Sequence, residues 1–200
     1  MSEKQDSIKE MAQSIVDKPS LIDQIIEQLE GSSRRNRQNA AAVLSQVSKI
    51  SPELLAPYVG ALEDALDRPE AQTRWESLDA LSNLISVDSR ACDKALQGAE
   101  NALFDEDNGL VRLAAFRFVC YLGATTQARS EKTWPLLDEA IQCYHGDFEY
   151  QDMLIALNVF AGGKISKPVK DSLKERVAFD AEHGHGALQR RCQQILDTLG

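Results

Sequence analysis

The stretch Asp107-Asn108-Gly109-Leu110-Val111-Arg112-Leu113-Ala114-Ala115-Phe116-Arg117-Phe118-Val119-Cys120-Tyr121-Leu122-Gly123 decides the fold. An Asn-Gly turn opens a run whose apolar side chains recur at helical spacing, and a glycine closes it. Its helical block opens at Val111-Arg112, and similar blocks open at Asn36-Arg37, Thr73-Arg74, Tyr150-Gln151 and Leu188-Gln189, so the five follow in steps of 37, 38, 39 and 38 residues. A period of that length marks a stack of helix pairs, each too small to bury its apolar face alone.

Counting each opening residue as zero, positions four, five, seven and eight should face the core. They are Ala40, Ala41, Val43, Leu44; Ser77, Leu78, Ala80, Leu81; Ala115, Phe116, Phe118, Val119; Leu154, Ile155, Leu157, Asn158; and Cys192, Gln193, Ile195, Leu196. Position eleven is Val47, Leu84, Leu122, Ala161 and Leu199. Only Ser77, Asn158 and Gln193 break the apolar pattern. A buried Asn158 needs a partner, expected from a neighbouring backbone or from Gln151.

Ahead of each block lies the first helix of its pair. These A helices are expected over about 20–30, from Ser51-Pro52 to Leu66, from Asp88 to about Phe104, over 130–144 and over 167–182. The second, or B, helices then run 33–48, to Ile85, from the Asp105–Gly109 turn, 148–161 and to Leu199. A further helix within the first 17 residues, capped by Asp6 or Ser7, places Ile8, Met11, Ile15 and Val16 on one face and ends before Pro19. It reads as a cap over the first pair.

The third block resembles the HEAT-repeat unit, with Asp in the turn, then Val-Arg, small residues, Leu and Gly. Pro57 and Pro135 fit the family habit of a proline inside helix A, where loss of one backbone bond kinks the helix. The resemblance spans about 20–200 and implies an all-α fold, a right-handed α-α superhelix of about five helical hairpins with an N-terminal capping helix. The expected organisation is one domain, 1–200, with repeats at about 20–50, 51–86, 88–124, 126–163 and 164–200. It also implies an Asp–Arg ladder between repeats, interrupted where Gln151 and Gln189 replace arginine, and a habit of binding proteins rather than a reaction.

The chain carries 31 Asp and Glu against 22 Lys and Arg, a net charge of −9. Residues 51–107 hold 13 acids and four bases, whereas 31–50 hold four bases and no acid. An acidic surface repels phosphate backbones, so nucleic acid is not a favoured partner. The four cysteines, Cys92, Cys120, Cys143 and Cys192, form no C-x-x-C pair, which suits reduced thiols in the cytoplasm. No apolar run reaches the length of a membrane span.

In such a stack the B helices line a concave wall. The residues expected on it are Trp75, Glu76 and Asp79; Leu113, Arg117 and Tyr121; and Asp152, Met153 and Phe160. Together they would form an aromatic and apolar floor with an acidic rim, fit for a peptide or protein segment of unknown identity. The opposing expectation is that these side chains fill gaps between helices. Arg34, Arg35 and Arg37 read as a solvated helix start, with Arg37 in the inter-repeat ladder. His183 and His185, with Asp180, Glu182 and Cys192, read as a glycine-rich turn and not as a closed metal site, so neither metal nor cofactor is expected. The reading is a non-catalytic scaffold, monomeric or weakly oligomeric. The alternative is a HEAT-like DNA glycosylase using Trp75, Asp152 and Arg117, which the acidic charge opposes.

Overall fold

The computed structural model describes residues 3–200, so Met1 and Ser2 of the expected first helix lie outside the described residues. Among the described residues there are 11 α-helices, four 3₁₀ segments, all ahead of Leu96, and no strand. The backbone gathers into two compact units, divided in the chain between Ala102 and Leu103.

The first unit begins with α1 (Glu3–Asp17). The helix starts ahead of the expected caps, so Asp6 and Ser7 lie within it. Ala12 and Ile15 are fully buried, and Pro19 opens a 3₁₀ turn just past its end. Next come α2 (Ile22–Glu30) and α3 (Arg34–Ile50), and α1 and α2 both pack on α3. Ser33 caps α3 by accepting from the amide of Asn36.

The second A helix is more broken than a single kink. Pro52–Tyr58 is a 3₁₀ segment with Pro57 inside it, and only Val59–Asp64 (α4) is α-helical before another 3₁₀ turn at Ala65–Asp67. Its apolar residues still reach the core, with Leu55 and Leu62 fully buried. Pro135 has a milder effect, because α8 runs unbroken through it. The second B helix is α5 (Ala71–Asp88), which lies along α3 and runs three residues past the expected end at Ile85. A 3₁₀ turn at Ala91–Ala95 and α6 (Leu96–Leu103) stand where one continuous A helix was expected.

The second unit opens with α7 (Gly109–Gly123), capped by the Asn108 carboxamide, which accepts from the amides of Leu110 and Val111. Then follow α8 (Gln127–Cys143), capped by Thr126, α9 (Tyr150–Ala161), α10 (Lys167–His183) and α11 (Gly186–Leu199). Helix α7 packs on α8 and α9, α9 on α11, and α10 on α11 and α8.

One arginine in each unit ties successive B helices together. In the first unit, Arg37 Nη1 donates to the carbonyl of Gly31 at 2.9 Å, the end of its own A helix. Its Nε donates to Glu70 Oε2 at 3.1 Å, and its Nη2 to Glu70 Oε1. Glu70 is the N-cap residue of α5, and both partners are buried. Arg112 repeats the pattern in the second unit. It donates from Nη1 to the carbonyl of Asp105 at 3.0 Å and from Nε to Oε1 of Glu149, the N-cap of α9, at 2.7 Å. The Tyr144 ring lies 4.9 Å below its guanidinium. The ladder therefore ends on a glutamate at the next B helix rather than on the turn aspartate, and Asp107 is exposed. At Gln151 the polarity reverses: Arg191 on α11 donates to the carbonyl of Gln151 and, at 3.1 Å, to its Oε1.

The Arg37 hydrogen bonds, outweighing burial, hold the Glu70 carboxyl below the usual carboxylate range. A carboxyl lowered on folding stabilises above its unfolded value. That contribution is lost as pH falls through the folded one.

Close packing at Gly123 joins three helices of the second unit. A Cβ placed there would clash with Thr133 Oγ1 on α8 and lie 2.8 Å from Phe160 on α9. Gly123→Ala is expected to lower stability by about 2 kcal/mol through overpacking. Urea denaturation followed by circular dichroism checks this, with a lower midpoint at unchanged slope as the expected result.

Candidate functional site

Within the first unit, α5 carries three of the residues expected on the wall. Trp75, Glu76 and Asp79 follow one another at i, i+1 and i+4, and all three are half-buried. Glu76 faces Ser45 and Lys49 of α3, with Asp79 beside it on its own helix. Burial raises its carboxyl above the usual range. The charge of Asp79 adds to that shift, and Lys49 opposes it. One turn further along, Asn83 Nδ2 donates to Ser48 Oγ at 2.9 Å, tying the same two helices. This face is polar and acidic, with one large aromatic.

In the second unit the expected residues separate. Arg117 and Tyr121, four apart on α7, are half-buried. Asp152 is exposed and lies 3.9 Å from Arg191. Three of the expected wall residues are not on the surface at all. Leu113 is buried, Met153 is 1% exposed and Phe160 is 0% exposed. Phe160 stacks on Trp134 of α8 with ring centroids 6.3 Å apart. These three belong to the core, so the expected Trp75–Tyr121–Phe160 band does not exist as a surface.

The cause is a register shift in the fourth block. Counting from Glu149 instead of Tyr150, positions four, five, seven, eight and eleven become Met153, Leu154, Ala156, Leu157 and Phe160, all buried. The outward side then carries Ile155 at 51% and Val159 at 47% exposure, which were expected to be inside or not singled out. Asn158 lies on that outward side, half-buried, and its Oδ1 accepts from the Thr198 hydroxyl at 2.9 Å rather than from Gln151. Asn158 was itself the available signal. A polar residue three positions from Ile155 marks the solvent face of an otherwise apolar helix.

The other singled-out clusters have local explanations. Arg34 and Arg35 are exposed at the start of α3, while Arg37 is buried in its ion pair. His183 stacks on Phe179 at 4.8 Å, Cys192 is fully buried, and Asp180 pairs with His145 at 2.9 Å. Among the described residues no three His, Cys, Asp or Glu side chains converge for a metal.

Two measurements test these placements. Phe160→Ala should cost about 3–5 kcal/mol as a core truncation, read by thermal or urea unfolding. Glu76→Gln should do the reverse. A carboxyl raised on folding costs nothing below its unfolded value near pH ~4 and destabilises increasingly above it. The variant should therefore melt higher than the parent at pH 7 and at the same temperature at about pH 4.

No protein-family model and no curated protein matches the sequence. Solved structures do match its fold. A designed armadillo repeat protein in complex with the peptide (KR)4 has a TM-score of 0.77 at 15% identity, over 98% of this chain and 91% of that one. Computationally designed armadillo repeat proteins for modular peptide recognition give 0.74 at 15% identity, over 97% and 91%. The archaeal HEAT-like repeats protein from Thermococcus onnurineus NA1 gives 0.53 at 12% identity, over 100% and 99%. Likeness at such low identity is likeness of fold. With its period, its paired helices and its arginine links, the chain has the armadillo/HEAT-like α-solenoid fold.

Proposed function

We propose that this chain is a non-catalytic interaction scaffold that takes a basic protein segment on the α5 face. The observation that carries the reading is the arrangement around Glu76. A partly desolvated carboxylate stands next to a second acid, Asp79, and beside the half-exposed indole of Trp75. An arriving guanidinium or ammonium would relieve the carboxylate's desolvation and stack on the indole, where a cation is attracted to the ring face. The chain's net charge of −9 would steer such a segment in. A fold neighbour solved with a peptide of alternating lysine and arginine supports the choice of ligand class, though its residues are not those of this chain.

Among the described residues no helix is long and apolar enough to cross a membrane. A DNA glycosylase reading finds little support. Its expected Asp152 sits beside Arg191, and the acidic α5 face opposes a duplex.

Fluorescence anisotropy with a labelled (Lys-Arg)4 peptide at ~50 mM salt tests the proposal, since screening is weakest there. Wild type should bind, and Glu76→Gln with Asp79→Asn should weaken binding by about tenfold through loss of two charge-assisted contacts. Trp75→Ala should weaken it with the helical circular dichroism unchanged. Absence of binding, equal binding by the variants, or unfolding of Trp75→Ala would each overturn it. A labelled DNA duplex at the same salt is the comparison arm, expected not to bind.

A further inference from the structure

A cavity of about 310 Å³ lies between α8, α9 and α10 of the second unit, at the small end of the range for ligand pockets. Ile141 of α8 and Phe179 of α10 give it apolar surface, and Tyr150, the first residue of α9, stands in its wall. Tyr150 is 3% exposed, yet its hydroxyl finds no hydrogen-bond partner among the described residues. That oxygen is not closed off from water, and it lies in the fields of Asp180 and Arg176, which line the same cavity. What stays accessible of this side chain therefore includes its polar end. Burial raises its pKa above the ordinary tyrosine value, so the group remains a neutral hydroxyl that can accept a hydrogen bond.

The charges around that oxygen decide what it can accept from. The Arg176 guanidinium is committed to Asp138, with Nε donating to Oδ1 at 2.6 Å and Nη2 to Oδ2 at 3.0 Å. Gln142 Nε2 donates to the same carboxylate at 3.0 Å. Asp180 has a side chain only 13% exposed, and one of its oxygens, Oδ2, accepts from His145 Nε2 at 2.9 Å. Its Oδ1 has no donor in the protein and is likewise open to water. Two free acceptors thus line one small space, and one of them is a carboxylate beyond the Arg176–Asp138 pair. An anion would stand against Asp180. A guanidinium is best met by both oxygens of one carboxylate, and Asp180 has one left. An ammonium is compact and carries three donors on one nitrogen, which can reach separate acceptors. An alkyl stem behind it suits Ile141 and the exposed ring of Phe179.

We propose that this cavity binds a primary alkylammonium, its nitrogen donating to Asp180 Oδ1 and to the Tyr150 hydroxyl oxygen, its chain lying on Ile141 and Phe179. The ammonium is that of a lysine side chain or of a free amine. The site shares no residue with the α5 face, so the two proposals stand or fall separately.

The probe is n-butylammonium chloride, which has the carbons and nitrogen of a lysine side chain and nothing else. It is titrated against the full chain carrying labelled isoleucine methyls, followed by NMR. A saturable shift of the Ile141 methyl is expected, and neither n-butanol nor sodium chloride at equal concentration should produce it. Asp180→Asn should weaken binding about tenfold through loss of the charged acceptor. Tyr150→Phe should weaken it about threefold while melting no lower than wild type, because the hydroxyl has no partner in the protein to lose. Nα-acetyl-L-lysine N-methylamide and cadaverine are titrated in parallel, and the tighter binder identifies the source. No Ile141 shift at ~20 mM probe, a concentration that would reveal even millimolar affinity, overturns the proposal. Equal responses to n-butanol or sodium chloride, unchanged affinity in either variant, or failure of both parallel amines overturns it as well.

Discussion

Within each unit the stacking of B helices depends on one buried ion pair made by an arginine near the start of a helix. Arg37 reaches back to the carbonyl of Gly31 and forward to Glu70. Arg112 does the same with Asp105 and Glu149. Each guanidinium thus joins the turn that follows its own A helix to the N-cap residue of the next B helix. Burying two charges is costly, and a well-packed apolar pair can match such a link in net stability. What the ion pair supplies is register. If the next helix slid by a turn, an arginine and a glutamate would be left buried and unpaired, at a cost of several kcal/mol. The apolar contacts between B helices have no comparable penalty for sliding, because small residues such as Ala40, Ala41 and Ala80 fit many positions.

Much of this organisation can be read from the sequence, for a physical reason. Repetition multiplies a weak helical signal, and the turn residues Asn108 and Ser33 mark helix starts through their capping chemistry. Arg37 could be assigned to a ladder because it repeats at a fixed spacing. Its acceptor could not. Glu70 and Glu149 precede their helices by different distances from the block openings, and a helix cap tolerates either acid. The register of the fourth block is not legible in the sequence because 153–157 is an unbroken apolar run, in which a shift of one residue changes few identities. That single shift moved Met153 and Phe160 from the core to a supposed surface and hid Ile155 and Val159. Pro57 and Pro135 show a second limit. The same residue fragments one A helix into 3₁₀ turns and leaves another continuous, because neighbouring capping and packing decide how a lost backbone bond is absorbed.

The surface proposed for binding arises from a charge asymmetry along the chain. The first block is basic and the second acidic, so α3 and α5 offer opposite fields on neighbouring faces. On the α5 face, Glu76 is partly removed from water between Asp79 and Lys49, and its carboxyl is raised by that burial. Polar groups at such places are a cost to folding, and a scaffold with no chemistry to perform carries that cost most reasonably where a partner relieves it.

The most direct test is a double-mutant cycle on the second unit's link, using Arg112→Met, Glu149→Gln and both together, read by urea denaturation. If the pair enforces the register of α7 and α9, each single variant loses about 3 kcal/mol and the double recovers much of it, a coupling of at least ~2 kcal/mol. Additive losses, with coupling under ~0.5 kcal/mol, would contradict the account and leave apolar packing alone as what aligns the helices.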